Sequence, residues 1–229
     1  MQASSRAIVS SQQGPHQDLV RRVQRARDSE WKRPPAEHTR LAFEKTDRWL
    51  EAQSRPLILD AGCGVGLSTR RLAERHPDHA VIGVDRSEVR LSRDHGALPD
   101  NARLVRADLV DFWRLALAAG WRPVRHYLLY PNPYPKSTQL KKRWHGHPVF
   151  PSLLALGGAL ELRSNWAIYV EEFALGVETL LGVEGEIAAF TPGATFMTPF
   201  ERKYFESGQI LWRYRVDLSP SLPHGESVR

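Results

Sequence analysis

Three glycines follow an aspartate directly after the first strongly apolar run of the chain. The run Leu57-Ile-Leu-Asp60 is succeeded by Gly62, Gly64 and Gly66, and a stretch with helical periodicity comes next. Glycines allow a tight turn and a close approach of the backbone to a ligand, and the start of a helix leaves N–H donors free. Because a dinucleotide site requires Gly-x-Gly-x-x-Gly and this spacing is Gly-x-Gly-x-Gly, an NAD or FAD site is disfavoured. The segment predicts a ligand-binding loop of another kind.

Two further aspartates end or follow the next two apolar runs. Asp85 ends the run 81–85, and Asp108 follows the run 103–107. A carboxylate at such a strand end can accept both hydrogen bonds of a ribose diol. Any one of these acids alone is more often a helix cap than a ligand. Three acids at the carboxyl ends of successive strands favour a ligand site, because open α/β sheets bind their ligands at that edge.

A proline-rich segment and a basic run follow the fourth apolar run. The segment Tyr130-Pro-Asn132-Pro-Tyr134-Pro-Lys136 alternates prolines, which excludes both a helix and a central strand and predicts a stiff loop that could hold a planar base. The basic run consists of Lys141, Lys142 and Arg143, which directly precede Trp144. Because of these neighbouring cations, we expect the Trp144 ring to contact RNA. For His145 and His147 we expect a surface or RNA-facing role and no metal, since no nearby acid or cysteine completes a ligand set.

The elements that position these residues are short apolar runs alternating with helical stretches, a pattern typical of a parallel sheet with crossover helices. Seven candidate strands span 57–60, 81–85, 103–107, 126–130, 159–163, 186–190 and 211–217. Helices are predicted at 67–76, 87–95, 109–119, 148–156 and 166–181. The sequence therefore predicts one α/β domain over residues 56–218.

The flanking segments differ from this domain in composition. Residues 1–17 are rich in Ser and Gln and are predicted to form a disordered tail, and residues 219–229 a flexible C-terminal tail. Residues 18–55 form a basic, partly helical N-terminal extension with a helix at 37–51. For this extension two interpretations stay open, a solvated helical surface or an RNA-facing flap.

The composition restricts the class of protein. The net charge of +6, in which Arg outnumbers Lys, favours a polyanionic partner, since guanidinium pairs with phosphate in a bidentate fork. The single cysteine, Cys63, excludes an internal disulfide and a zinc site built from several thiolates. No apolar run approaches the roughly 18 to 20 residues of a membrane-spanning helix. We therefore expect a soluble, cytoplasmic protein.

These motifs together resemble those of one family. The segment 130–136 and the basic run after it resemble the Pro-Asp-Pro-Trp-x-Lys element of the tRNA (guanine-N7)-methyltransferase family, and the glycine segment resembles the first motif of class I S-adenosylmethionine methyltransferases. Residues 162–169 are similar to the family's Thr-Asp-Trp-x-x-Tyr element, and residues 198–203 to its Thr-x-x-Glu-x-Lys element. The similarity runs in order from about Pro56 to Asp217.

The resemblance implies a Rossmann-like, three-layer α/β/α fold with a seven-stranded, mostly parallel sheet and an antiparallel last strand. It implies S-adenosylmethionine (SAM) as cofactor and tRNA as partner, with no membrane, no metal and no obligatory protein partner, in a monomer or homodimer. The implied cofactor-binding residues are Asp60, Gly62, Gly64, Gly66, Asp85, Asp108 and Asn132. The implied substrate-binding residues are Lys136, Asn165, Thr198 and Glu201, with further RNA contacts from Lys141, Lys142, Arg143 and Trp144.

The chain departs from the family pattern at the chemistry. Asn132 occupies the position of the catalytic aspartate, Asn165 replaces a second aspartate and Tyr134 replaces a tryptophan. Guanine N7 attacks with a lone pair that carries no proton, so placement in line with the methyl group can suffice without a general base. Losing the carboxylate would slow the chemistry by roughly a hundredfold or more. The alternatives are a related methyltransferase acting on another RNA or a small molecule, and a catalytically weak RNA-binding relative.

Overall fold

The sheet of this protein contains seven strands in the order β3-β2-β1-β4-β5-β7-β6. The computed structural model describes residues 5–29 and 31–219. The strands are β1 Leu57–Ala61, β2 Ala80–Asp85, β3 Ala102–Arg106, β4 Arg125–Leu129, β5 Ala159–Ser164, β6 Glu186–Phe190 and β7 Leu211–Asp217. Strand β7 runs antiparallel to both of its neighbours, and the pairs among β1 to β5 are parallel. The predicted mostly parallel sheet with an antiparallel last strand is confirmed.

Eight α-helices accompany the strands in the described part of the chain. They are α1 Leu19–Arg27, α2 Glu37–Gln53, α3 Leu67–Arg75, α4 Glu88–Leu91, α5 Leu109–Ala118, α6 Phe150–Ala155, α7 Ala167–Leu181 and α8 Pro199–Glu206. Short 3-10 helices occupy Ser137–Lys142 and Trp144–Gly146. The helix predicted at 87–95 is shorter in the structure, where α4 spans four residues; none of them is fully buried, so packing stabilises this helix little. Helix α8, for which no helix was predicted, starts at the Thr198 cap with Pro199 in its first turn.

Helices cover both faces of the sheet. Successive strand residues point to opposite faces, so Leu59 belongs to one hydrophobic cluster and Ile58 to the other. The first cluster includes Phe112 of α5 and Phe173 of α7, and the second includes Leu72 of α3. Both β1 and β2 are buried along their whole length, as expected of central strands covered on two sides. The three-layer α/β/α arrangement is confirmed.

The strand order reverses between β1 and β4, and this reversal determines where the loops meet. The chain passes from β1 to β2 and β3 on one side and then returns to β4 and β5 on the other. Asp60 of β1 pairs in register with Tyr127 of β4. The loops that leave the carboxyl ends of β1 and β4 therefore lie side by side at the switch point, where open α/β sheets bind ligands.

The N-terminal segment differs from its prediction as a disordered tail. Residues 5–18, which we call the N-terminal strap, bind the body of the protein through hydrogen bonds. The Ser5 N–H donates to Ser207 Oγ (2.8 Å), Ser10 Oγ donates to the Pro135 carbonyl (2.6 Å), and Gln12 Nε2 donates to Glu172 Oε1 (2.9 Å). The prediction is wrong for residues 5–17, while residues 1–4 and residues 220–229 of the predicted C-terminal tail lie outside the described residues.

The extension that follows the strap is partly helical, as predicted, because it contains α1 and α2. Helix α1 buries Leu19, Val23 and Ala26, which recur at the spacing of one helical face. Among the described helices, none combines the length and apolar character needed to cross a membrane.

Candidate active site

The loop after β1 holds three glycines in the left-handed region of backbone conformation. The φ angles are +79° at Gly62, +59° at Gly64 and +73° at Gly66, a region that side-chain-bearing residues rarely adopt. A β carbon at Gly66 would lie 2.8 Å from the methyl groups of Leu104, so the Leu104 side chain would have to move to admit any larger residue. At Gly62 the nearest atom would be 3.9 Å away, and at Gly64 none lies within 4 Å. The first part of the loop therefore borders open space that a ligand can occupy.

Asp60 lies beneath this loop and is only 1% exposed. Its Oδ2 accepts hydrogen bonds from Ser68 Oγ (2.6 Å) and Thr69 Oγ1 (2.7 Å). Its Oδ1 is buried and has no hydrogen-bond partner among the described residues. Burial raises the pKa of Asp60 to about 6, although the two hydroxyl hydrogen bonds act in the opposite direction. An unpartnered buried carboxylate oxygen is suited to accept a hydrogen bond from a ligand.

Asp85 and Asp108 complete the row of acids at this edge. Asp85 Oδ2 accepts from the Gly64 N–H (3.0 Å), and its Oδ1 accepts from the Ser87 N–H (2.8 Å). Asp85 thereby fixes the glycine loop against the end of β2, and each oxygen keeps a second lone pair for a ligand. Asp108 caps α5, since its Oδ1 accepts from the Val110 N–H (2.9 Å). The capping role considered for these acids holds at Asp108.

The loop after β4, residues 130–136, lies beside the glycine loop and is held at both ends. Tyr130 and Tyr134 have φ angles of +53° and +45°, which costs on the order of 1 kcal/mol for each residue. Asn132 between them is exposed, and its Oδ1 accepts from the Tyr134 N–H (3.3 Å). Such strain persists only where surrounding contacts enforce the conformation. This loop, the acceptor loop below, therefore presents Asn132 on a fixed backbone.

Glu201 fixes the first residue of the acceptor loop, Tyr130, in position. It is 1% exposed, and its Oε2 accepts from Tyr130 Oη (3.0 Å) and from Arg163 Nη1 (2.7 Å). Its Oε1 accepts from the Met197 N–H (2.9 Å). Thr198 is also buried and caps α8 through the Glu201 N–H (3.0 Å). The structure thus differs from the expectation that Thr198 and Glu201 face the RNA, because both side chains are buried and form hydrogen bonds within the protein.

The two remaining residues of the expected substrate site are accessible to different degrees. Lys136 is exposed at the end of the acceptor loop. Asn165 is half-buried, and its Nδ2 donates to Gln209 Oε1 (2.8 Å). Gln209 Nε2 in turn donates to the Ser5 carbonyl (2.9 Å). Asn165 is therefore linked to the N-terminal strap, a link that the sequence did not suggest.

The basic run 141–144 divides into an exposed half and a buried half. Lys141 and Lys142 are exposed, as RNA contacts require. Arg143 is fully buried, and its Nη1 pairs with Glu172 Oε2 at 2.5 Å. Trp144 packs edge-on against Trp113, with ring centroids 4.7 Å apart. The predicted RNA contact at Arg143 is wrong, because its side chain is fully buried. Trp144 is half-buried, and its RNA contact stays a prediction.

Arg143 enforces the other end of the acceptor loop. Its Nε and Nη2 donate to the Tyr134 carbonyl at 3.2 and 3.1 Å, and Nη2 also reaches the Lys136 carbonyl at 3.4 Å. The guanidinium lies 4.8 Å from the centre of the Trp166 ring. A planar group with five donors can satisfy these carbonyls and a carboxylate at once, which a lysine could not.

Glu172 of α7 is the centre of this buried network. Besides Arg143, its oxygens accept from Gln12 Nε2 and from the His16 N–H, both at 2.9 Å, and His145 Nε2 lies 2.7 Å from Oε2. Burial alone would raise the pKa of Glu172, but the hydrogen bonds from His145, Arg143 and Gln12 lower it to about 2. Glu172 therefore stays ionised and joins strap, acceptor loop and helix.

The surface role predicted for His145 is wrong, because its side chain is fully buried against Glu172. Burial lowers the pKa of His145, so the neutral ring donates to Glu172. His147 is half-buried, and its ring centroid lies 5.2 Å from that of Trp31. The sequence could have indicated the burial of Glu172, because this residue lies on the buried face of α7 between Tyr169 and Gly176, but it gives no sign of its partners.

Comparisons with known proteins identify the family of this chain. A family model described as "Putative methyltransferase" matches residues 54–214. The tRNA (guanine-N(7)-)-methyltransferase of Leifsonia xyli subsp. xyli is 30% identical over 174 residues, which cover 71% of this chain and 76% of the relative. The protein of the same name from Thiobacillus denitrificans is 26% identical and covers 70% and 74% of the two chains.

Solved structures resemble the fold. The 16S rRNA methyltransferase KamB superposes with a TM-score of 0.55 at 17% identity, covering 74% of this chain and 91% of its own. A variant of the 16S rRNA (adenine(1408)-N(1))-methyltransferase from Catenulisporales acidiphilia, solved with its cosubstrate SAM, superposes with a TM-score of 0.51 at 21% identity, covering 77% and 93%. At these identities the likeness concerns the fold alone. The family match and the sequence relatives together show that this chain belongs to the tRNA (guanine-N(7)-)-methyltransferase family.

Proposed function

We propose that this protein transfers a methyl group from SAM to N7 of a guanine in the variable loop of tRNA. The observation that carries the proposal is the adjacency of two loops at the switch point of the sheet. The glycine loop with Asp60 and Asp85 lies beside the rigid acceptor loop with Asn132 in a chain of this family. The tRNA substrate supports a cytoplasmic location, which we also propose. The resemblance to the family further implies an activity that requires no second kind of subunit.

The residues at the switch point fit SAM. Open space borders Gly62 and Gly64, the buried Asp60 Oδ1 has no partner among the described residues, and Asp85 retains lone pairs at the end of β2. Asp60 would hold a cationic group of the cofactor, and Asp85 a pair of hydroxyls. When bound, SAM supplies a methyl group attached to a positively charged sulfur.

The task of the acceptor loop is placement of the guanine. Since N7 carries no proton, the chain need not remove one, and orientation of the ring towards the methyl group provides the main rate enhancement. Asn132 lies on a backbone fixed by Glu201 at one end and Arg143 at the other. Its amide can hydrogen-bond the base, but it opposes the positive charge that develops on the purine only as a dipole.

Incubation with radiolabelled SAM and bulk tRNA from a strain without its own guanine-N7 enzyme tests this proposal. Mass spectrometry of the digested tRNA then identifies the methylated nucleoside. We expect 7-methylguanosine, at a variable-loop position mapped by site-specific cleavage. If SAM binds but tRNA remains unmethylated, the proposal fails, and another RNA, a small-molecule acceptor or an RNA-binding role without catalysis takes its place.

The substitution Asn132→Asp tests the role of residue 132. The turn uses only Oδ1 of Asn132 as an acceptor for the Tyr134 N–H, so aspartate preserves the loop. Because a carboxylate stabilises the charge that develops on the purine, we expect kcat for tRNA methylation to rise by up to about a hundredfold.

The control for this test is Asn132→Ala, which removes both the amide and the turn and is expected to lower kcat. A lower rate for Asn132→Asp than for the wild type would mean that the site has been adapted to the amide and that its acceptor differs from that of its relatives.

A further inference from the structure

An open groove of about 510 Å³ lies between α1 and the 3-10 helix 137–142. Helix α1 contributes one wall, and the 3-10 helix contributes the other. The side chains that matter here are Arg21, Arg22 and Arg25 on the first wall and Ser137, Thr138 and Lys141 on the second. The groove is therefore lined from both sides by cations and hydroxyl donors.

Both walls of the groove are fixed by contacts inside the protein. Helix α1 buries Leu19 and Val23, so the opposite face carries Arg21 and Arg25 outward. The His16 N–H donates to buried Glu172 just before α1 begins. Arg22 Nε donates to the Gly146 carbonyl (2.7 Å), which ties α1 to the segment after the second wall. The groove is thus a preformed feature of the fold.

The positive charge of the groove exceeds what the fold itself uses. Within the described residues, no carboxylate lies within salt-bridge distance of Arg25 or Lys141, and Arg22 uses only Nε as a donor. Arg21 pairs with Asp18 (2.8 Å), the one acid of the groove, but both side chains are exposed and such a pair stabilises little.

One general effect, the helix dipole, accounts for part of this charge and not for the rest. The dipole of α1 favours Arg25 in its last turn. The dipole does not account for Arg21, which lies near the start of the helix, or for Lys141 on the opposite wall. Arg21 also lies one helical turn from Arg25, and the two like charges repel each other. Cations that face one another across a groove without internal partners indicate a polyanionic ligand.

The groove also leads to the acceptor loop. Its second wall begins at Ser137, directly after Lys136 at the end of that loop. We infer that the groove binds the sugar-phosphate backbone of the tRNA whose guanine enters the acceptor site, an inference that rests on the proposed function. The arginines bind phosphate oxygens in bidentate fashion, and the hydroxyls of Ser137 and Thr138 donate to the same oxygens. Such contacts position the RNA and do not depend on base sequence.

A variant that carries Arg21→Gln, Arg25→Gln and Lys141→Gln tests this inference. Its affinity for unmodified tRNA is measured by fluorescence anisotropy between about 50 and 200 mM KCl, where phosphate contacts dominate the salt dependence. We expect the slope of log K against log salt to fall in magnitude by about two to three, and the affinity at 100 mM to drop about tenfold or more. The affinity for SAM stays that of the wild type, because none of the three side chains lies at the glycine loop.

The matched control removes the same charge elsewhere. Lys45, Arg48 and Arg55 are exposed on or just after α2, which packs against α5 and β3 away from the groove. Replacing these three residues by Gln is expected to leave the salt slope close to that of the wild type. Equal losses of slope and affinity in the two variants would overturn the inference, and so would a wild-type protein that does not bind tRNA.

The inference and the proposed function can fail separately. If the wild type makes 7-methylguanosine while the groove variant keeps its slope, only the groove is refuted. If no methyl is transferred while the groove variant alone loses slope, the groove stands as an RNA site and the proposed activity fails. If the triple variant melts at a lower temperature, Arg25→Gln and Lys141→Gln are measured singly, and each is expected to lower the slope by about one.

Discussion

The two oxygens of the Asp60 carboxyl group have different surroundings. One oxygen accepts hydrogen bonds from Ser68 and Thr69, while the other is buried without a partner among the described residues. Burial raises the pKa of Asp60 to about 6, so the free protein holds a mixture of neutral and ionised carboxyl groups near this pH. A ligand that brings a cation to the free oxygen would favour the ionised form, and binding would release a proton at acidic pH.

The affinity for SAM should therefore depend on pH. We expect binding to weaken about tenfold between pH 7 and pH 5, because one group with a pKa near 6 must lose its proton on binding. Isothermal titration calorimetry in buffers of different ionisation enthalpy measures both the affinity and the proton released. The variant Asp60→Asn should bind more weakly at pH 7 and lose the pH dependence, while Asp100→Asn at an exposed position should retain both. A wild-type affinity that is constant over this range would contradict the assignment.

At the scale of elements, the acceptor loop depends on a carboxylate in the middle of α7. Glu172 accepts from Arg143, which holds the Tyr134 carbonyl, and from Gln12 of the strap. A buried ion pair of this kind contributes little net stability compared with apolar packing, but removal of one partner leaves the other charge buried. The network thus explains how a loop with two left-handed tyrosines keeps one conformation.

The substitution Glu172→Gln should destabilise the protein and loosen the acceptor loop. We expect the free energy of unfolding to fall by about 3 kcal/mol, because the Arg143 guanidinium loses its only described carboxylate partner while it remains buried. Urea unfolding followed by circular dichroism measures this loss. Glu178→Gln, at an exposed position of the same helix, serves as the control. A loss no larger than that of the control would mean that Arg143 finds other partners and that the loop does not depend on Glu172.

The elements themselves were largely predictable from the sequence, but the network was not. Buried parallel strands produce apolar runs that local inspection detects, and each of the seven predicted strands lies within one residue of its observed bounds. The run 141–143 also looks locally like a solvated basic surface. Arg143 is buried only because its partners Glu172 and Gln12 come from distant parts of the chain. Contacts of this range leave no periodic pattern in the sequence, and the ordered strap was missed for the same reason.

At the scale of the whole molecule, acid stability reflects groups that the fold buries in unfavourable protonation states. His126 of β4 is fully buried, and its Nε2 accepts from Trp113 Nε1 (3.3 Å). Burial lowers the pKa of His126 to about 3, so between pH 6.5 and 3 the unfolded chain binds a proton that the folded protein excludes. Stability contributed by the neutral ring is therefore present above the unfolded pKa and is lost as pH falls. Asp60 changes the stability in the opposite direction as the pH falls. Its raised pKa means that the folded protein binds a proton between about pH 6 and 4 that the unfolded chain does not, so this group stabilises the folded protein as the pH is lowered through that range.

Because these two groups titrate over overlapping ranges, the wild-type stability alone cannot separate them, and a difference between two proteins is required. We expect His126→Leu to gain about 3 kcal/mol relative to the wild type between pH 7 and pH 4, since the variant no longer excludes a proton. At pH 7 the variant can be less stable because the Trp113 indole loses its acceptor. Urea unfolding at each pH yields the difference, and His95→Gln at an exposed position should show none. A difference between His126→Leu and the wild type that does not change with pH would mean that the His126 ring has the same pKa in the folded and the unfolded protein, and that the ring is reached by water in the folded state.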